Sequence, residues 1–119
     1  DGPSIQIERM ERGLNFLLDH DRLVARSVAD RVLGLRSGEF PLLEAQANRL
    51  LGRIDRDPGR LTRALAIFER SKAVPYVARV RGERALLTGK HDELDSAIRV
   101  LEQLGDQDQV CRFERLQVA

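Results

Sequence analysis

The chain has 119 residues, of which 42% are hydrophobic and 33% are charged, and this length suits one compact domain, residues 1–119. Its twenty basic and nineteen acidic residues leave a net charge of +1, which excludes the strong basic field of a general nucleic-acid-binding surface. No run of about 18 apolar residues is present, which excludes a transmembrane helix. Together with the single cysteine, Cys111, these features predict a cytoplasmic protein that contacts neither nucleic acid nor membrane.

Apolar residues at three- and four-residue steps predict seven helices and no strands, which makes the chain all-α. In chain order the helices fall within residues 7–18, 24–35, 41–54, 61–68, 75–88, 92–104 and 106–118. Asp21 is a candidate N-cap of the second helix, and Pro41 and Pro75 suit the first turns of the third and fifth. Gly89 and Gly105 suit the ends of the fifth and sixth. Such short links predict antiparallel packing of successive helices.

Two helix pairs repeat at a spacing of 33 to 34 residues. The segments "RSGEFP" (36–41) and "RSKAVP" (70–75) lie 34 residues apart, and "TRALAIFERS" (62–71) aligns with "DSAIRVLEQL" (95–104) at an offset of 33. A helix–turn–helix unit at this period is the signature of a helical repeat array. We expect units over about 5–37, 40–72 and 75–104, followed by a capping helix over 106–118.

Small residues predict where the two helices of a unit cross, because a large side chain there would hold the helices apart. Gly52 and Ala64 are expected to meet in one unit, and Ala85 and Ala97 in the next. Phe68 is expected to fill the space between neighbouring units.

These positions resemble the tetratricopeptide repeat (TPR) family. The best unit carries the family pattern at Leu51-Gly52, Ala64, Phe68 and the nearby Pro75, and the next unit matches at Ala85, Ala97 and Leu101. The later of these two units departs from the pattern at Arg84, where Leu is expected. In both units the large aromatic residue of the pattern is replaced, by Asn48 in one and by Arg81 in the other. The resemblance covers most of residues 8–105 and implies a short solenoid of antiparallel helix pairs, whose first helices line a concave groove.

A second resemblance involves the stretch over 64–89 and "LEQLGD" at 101–106. It is similar to the TPR-like C-terminal tails of large bacterial multidomain regulators, namely adenylate cyclases and LuxR-type transcription factors. In those proteins other domains do the chemistry. The first residue is Asp1 rather than Met, so we expect a part of a longer protein.

Catalytic motifs are not found in the sequence. It lacks the phosphate-binding GK[ST] ending, HExxH, CxxC and GxSxG. His20 and His91 are interpreted as turn and helix-start residues, and "DRDPG" at 55–59 as a turn with an N-cap rather than a calcium loop. We therefore predict no cofactor, no metal and no enzymatic activity in this chain.

The arginines are the only sequence feature that suggests a binding surface, and Glu83 lies among them. The residues proposed to line the concave groove are Arg49, Arg53, Arg79, Glu83 and Arg84. There they would pair with acidic groups of a peptide. The alternative is a solvated face whose local ion pairs contribute little.

The predicted function is a non-catalytic protein–protein interaction or regulatory scaffold module of a larger bacterial signalling or transcription regulator. Its partner would be a protein, a peptide or another domain of the same parent chain. The alternatives are a domain that senses a small effector for such a regulator and a module that self-associates through its repeat ends.

Overall fold

A computed structural model describes residues 8–9, 11–13, 16, 20–34 and 40–118. The helices with described bounds are α1 (Arg22–Leu33), α2 (Pro41–Asp55), α3 (Pro58–Arg70), α4 (Val74–Thr88), α5 (His91–Leu104) and α6 (Gln107–Val118). The described residues before Asp21 are helical as well, and no strand occurs in the described ranges. The fold is all-α, as predicted. Most of the first predicted helix, including the apolar positions on which its prediction depends, lies outside the described residues.

Local signals in the sequence set the helix ends. Asp21 caps α1 by accepting a hydrogen bond from the Val24 amide at 3.1 Å. Asp57 caps α3 through the Gly59 amide at 2.9 Å, so the segment interpreted as a turn with an N-cap is one. Pro41 occupies the first position of α2, where its missing N–H costs no helical hydrogen bond.

The 33-residue period is present in the backbone. Helices α2, α4 and α6 begin at residues 41, 74 and 107, and α3 and α5 begin at 58 and 91. The left-handed residues that end helices recur at the same spacing, Arg56 with Gly89 and Lys72 with Gly105. The structural register is therefore 33, whereas the two "RS" segments align at 34. The difference arises because Pro41 is the first residue of α2 and Pro75 is the second residue of α4.

Each helix packs on the next in chain order, and α6 also contacts α4. From α2 onwards the links have only two or three residues, so this packing makes successive helices antiparallel. Phe68 stacks on Tyr76 of the next pair with ring centroids 5.3 Å apart, so it fills the space between units as expected. In α6, Val110 and Phe113 are buried against α4 and α5, and they cover the apolar end of that pair.

Several predicted contacts need correction. The predicted second helix has its first apolar position at Val24, but Val24 is 43% exposed, and the residues of α1 that are buried where it packs on α2 are Ala25 and Ala29. A Cβ at Gly52 would lie 2.8 Å from Leu61, so Leu61 is the side chain that needs glycine at this position. Helix α5 begins at residue 91, one residue before Asp92, and its Leu104 is 46% exposed.

Candidate functional site

A buried ion pair joins α2 to α4. The Arg49 guanidinium donates from Nε to Oε1 of Glu83 at 2.7 Å and from Nη2 to Oε2 at 2.8 Å. Both residues lie inside the molecule, with 2% of Arg49 and 5% of Glu83 exposed. Two parallel hydrogen bonds between charged groups fix the relative position of the helices as well as pairing the charges.

Three arginines share the Glu83 carboxylate. Besides Arg49, Arg112 of α6 donates from Nη2 to Oε2 at 2.7 Å, and Nε of Arg53 lies 3.8 Å from the same oxygen. Burial by itself would raise the pKa of Glu83, but the positive charges of Arg49, Arg53 and Arg112 hold that pKa well below its usual value. Glu83 is therefore ionised and connects α2, α4 and α6.

A second cluster of charges surrounds Glu11, which precedes α1. Its Oε1 lies 2.9 Å from Nη1 of Arg49, and its Oε2 accepts a hydrogen bond from Arg79 of α4. Arg79 also donates from Nε to Oδ2 of Asp106 at 2.7 Å. Burial would lower the pKa of Arg79, yet the carboxylates of Glu11 and Asp106 raise it above its usual value. Burial would likewise lower the pKa of Arg49, and Glu83 and Glu11 outweigh that effect.

Arg84 lies apart from these clusters. Its Nη2 donates to Oε1 of Glu93 at 2.5 Å, and both side chains are 24% exposed. The pair joins the two helices of one unit, α4 and α5. It is the kind of local ion pair that the alternative interpretation of the arginines expects.

An open groove of about 390 Å³ lies beside the Glu83 carboxylate and is lined by residues of α2, α3, α4 and α6. We call it the arginine groove and define it by its lining residues Arg53, Arg56, Leu61, Glu83, Leu86, Leu87, Arg112 and Leu116. Four of the eight lining residues are leucines, so the groove combines apolar surface with charged side chains. Three arginine charges less the Glu83 charge give the lining a net positive charge of two units. An extended or helical segment that carries both acidic and apolar side chains would match these properties.

Only two of the five predicted groove residues line the arginine groove. Arg53 and Glu83 line the arginine groove, and Arg79 and Arg84 do not appear in its lining. Arg49 is buried behind Glu83, so its side chain supports the arginine groove and does not reach a partner bound there. For Arg49 and Glu83 the expected exposure is corrected to burial.

Sequence reasoning missed Arg112, Arg56 and Glu11. Arg112 follows Arg79 by 33 residues, so the repeat period offered a signal for it. Arg56 lies in the groove because it ends α2 in a left-handed conformation with φ of 52°. Glu11 carried no signal, because its partners lie in helices of two later units.

Other candidate sites are sparse in the described part of the chain. No group of three or more His, Cys, Asp and Glu side chains is placed to hold a metal ion there. Cys111 is exposed on α6, and the ring of His20 contacts the Phe16 carbonyl through Nδ1 at 2.8 Å. Within the same ranges, every helix is too short or too polar to cross a membrane.

Comparison with known proteins returned no matching family model, no matching curated protein and no matching solved structure.

Proposed function

We propose that this chain is a non-catalytic interaction module, a TPR-like scaffold that holds a partner protein, a peptide or another domain of the same parent chain. The parent would be a bacterial signalling or transcription regulator with its chemistry in other domains. The observation that carries the proposal is the arginine groove, in which Arg53, Arg56 and Arg112 share one lining with four leucines.

The groove is formed by helices whose relative positions are already fixed. Arg49 and Arg112 both bind Glu83, so α2, α4 and α6 are tied together whether or not a partner is bound. A preorganised surface loses little conformational entropy on binding, and more of the contact energy then appears as affinity. Charge complementarity selects acidic segments, because guanidinium groups beside apolar surface form strong paired contacts with carboxylates.

A peptide-display selection against the intact chain tests this function, because a random peptide library requires no choice of partner. We expect enriched peptides to combine Asp or Glu with Leu, Ile, Val or Phe. Their binding should weaken by about tenfold or more in the variant Arg53→Gln/Arg112→Gln, since two charge-assisted contacts are lost. The variant should fold, because Arg49 still pairs with Glu83.

The matched control is Arg63→Gln/Arg99→Gln, which removes the same charge from exposed positions on α3 and α5. It should bind the selected peptides as the unmodified chain does. Equal loss in both variants would show a non-specific charge effect, and the absence of any enriched peptide would contradict the proposed function.

A small anionic effector is the second candidate occupant. The groove volume of about 390 Å³ falls within the range of small-molecule sites, about 300–1,000 Å³. Thermal unfolding in the presence of di- and tricarboxylic acids tests it. A rise in melting temperature that Arg53→Gln/Arg112→Gln abolishes would favour effector sensing over peptide binding.

A further inference from the structure

Glu11 differs from the other described residues of its segment. Seven residues between 8 and 20 are described, and six of them are exposed: Glu8, Arg9, Arg12, Gly13, Phe16 and His20. Glu11 alone among the seven is buried, with 5% of the residue exposed. Its carboxylate is held by Arg49 of α2 and Arg79 of α4. Among the described residues, this two-arginine contact is therefore the buried attachment of the segment to the later helices.

The two arginines do not need Glu11 to remain compensated. Arg49 keeps its two hydrogen bonds to Glu83, and Arg79 keeps its bond to Asp106 at 2.7 Å. Withdrawal of Glu11 therefore leaves neither cation without a carboxylate. It also returns the Glu11 carboxylate to water, which lowers the cost of separating a buried pair. Glu83 is different, because its removal would leave three arginines around one vacated position.

The contact also reaches the first turn of α4. Burial raises the pKa of Tyr76 to about 12; the negative charges of Glu11 and Glu8 add to this effect, and the positive charges of Arg79 and Arg49 oppose it. The Arg79 guanidinium lies 5.0 Å from the centroid of the Tyr76 ring. Glu11 thus binds Arg79 near Tyr76, at the end of α4 opposite Leu86 and Leu87 of the arginine groove.

We propose that the segment around Glu11 is a self-docked ligand: Glu11 occupies a carboxylate-binding site made by Arg49 and Arg79, and the segment is displaceable from it. The site fits an acidic helical segment, since the described residues around Glu11, 8–9 and 12–13, are helical. A partner that presents such a segment would compete with the chain's own. Binding at this site would then be regulated by how readily Glu11 detaches. The inference does not depend on what occupies the arginine groove.

A synthetic peptide of residues 5–20 with blocked ends and a fluorescent label is the direct probe. Its anisotropy is measured with the unmodified chain and with the full-length variant Glu11→Gln, whose own segment competes less. We expect the peptide to bind Glu11→Gln about tenfold more tightly, the change that loss of one charged contact typically gives. The same peptide with Glu11→Gln should bind both chains weakly. Equal affinity for the two chains, or binding to neither, would overturn the proposal.

Hydrogen exchange separates a displaceable segment from an integral part of the fold. In Glu11→Gln the amides of residues 8–20 should exchange faster, while those of residues 41–104 keep their protection. The matched control is Glu8→Gln, which removes an exposed charge from the same segment and should leave both regions unchanged. Loss of protection throughout the chain in Glu11→Gln would show that Glu11 only stabilises the fold, and the proposal would fail. Either result leaves the peptide-display test of the arginine groove unaffected.

Discussion

Arg49 and Glu83, 34 positions apart in sequence, form a bidentate ion pair between α2 and α4 that is almost fully buried. The offset is close to the 33-residue period, so the pair connects neighbouring positions in successive units. Glu83 also receives Arg112 from α6. One carboxylate thus joins three of the four helices that line the arginine groove.

Neutralising Glu83 should destabilise the fold strongly. In Glu83→Gln the charges of Arg49, Arg53 and Arg112 lose their shared carboxylate, and removal of one partner from a buried pair costs about 3–5 kcal/mol. Glu93→Gln is the control, because its pair with Arg84 is partly exposed and should cost less than about 1 kcal/mol. Urea unfolding of both variants measures the difference. Equal losses would contradict the role given to Glu83.

Lowering the pH should reduce the free energy of unfolding more in the unmodified chain than in the variant Glu83→Gln. The pKa of Glu83 is lowered in the folded state, so as the pH falls the unfolded chain takes up a proton first. The stabilisation from Glu83 is therefore present at neutral pH and is lost progressively below about pH 5. We expect the free energy of unfolding to fall less steeply with acid in Glu83→Gln. Parallel curves between neutral pH and about pH 3 would be inconsistent with an ionised, paired Glu83.

Tyr76 should titrate at unusually high pH. The chain has one tyrosine and no tryptophan, so absorbance near 295 nm reports on this phenol alone. Burial, with the charge of Glu11 beside it, raises its pKa to about 12. Because the unfolded phenol ionises near pH 10, stability should fall as the pH rises above that value. Titration centred near pH 10 while circular dichroism shows an intact fold would be evidence against this environment.

Gly82 allows α6 to approach α4. A Cβ at this position would lie 2.7 Å from the Phe113 ring, so Gly82→Ala should cost about 1–3 kcal/mol. The cost should shrink when Phe113→Leu is added, because the smaller side chain relieves the overlap. Gly34→Ala is the control, since its nearest contact is 3.4 Å and φ is −75°. Thermal unfolding of the unmodified chain, the two single variants, the double variant and the control measures these costs. Additive effects of Gly82→Ala and Phe113→Leu would argue against direct contact.

Replacing Lys72 with glycine should stabilise the fold. It adopts a left-handed conformation with φ of 56°, and Gly105 occupies the equivalent position one unit later. The left-handed conformation costs a residue with a side chain about 1–2 kcal/mol, so Lys72→Gly should stabilise the fold by about 1 kcal/mol. Lys72→Ala retains the Cβ and should give no gain. If alanine stabilises as much as glycine, backbone strain is not the cause.

Local chemistry made much of the fold predictable. Asp21, Pro41, Gly89 and Gly105 each determine a helix end through their own backbone or side chain. The helix ends that they mark were therefore predicted from the sequence to within one or two residues. Side-chain burial was harder, because the choice between Val24 and its neighbour Ala25 depends on how closely α1 approaches α2.

The candidate site was predicted only in part. Arg53 and Glu83 were predicted as groove residues from their positions on the helices. Nothing in the spacing of residues indicated that the Arg49 side chain is buried and pairs with Glu83. The contact of Glu11 could not be predicted from the sequence, because its partner Arg79 is 68 residues away along the chain. Contacts across two units depend on the curvature of the stack, which residue pattern alone does not specify.

The most direct test of the central claim is an amide NMR map of the chain titrated with the most enriched acidic display peptide. We predict that shifted amides concentrate on α2, α4 and α6 around Arg53, Leu86 and Arg112, and that Arg53→Gln/Arg112→Gln removes these shifts. Shifts confined to the outer faces of α3 and α5, or shifts that persist unchanged in the variant, would contradict the assignment of the arginine groove as the binding surface.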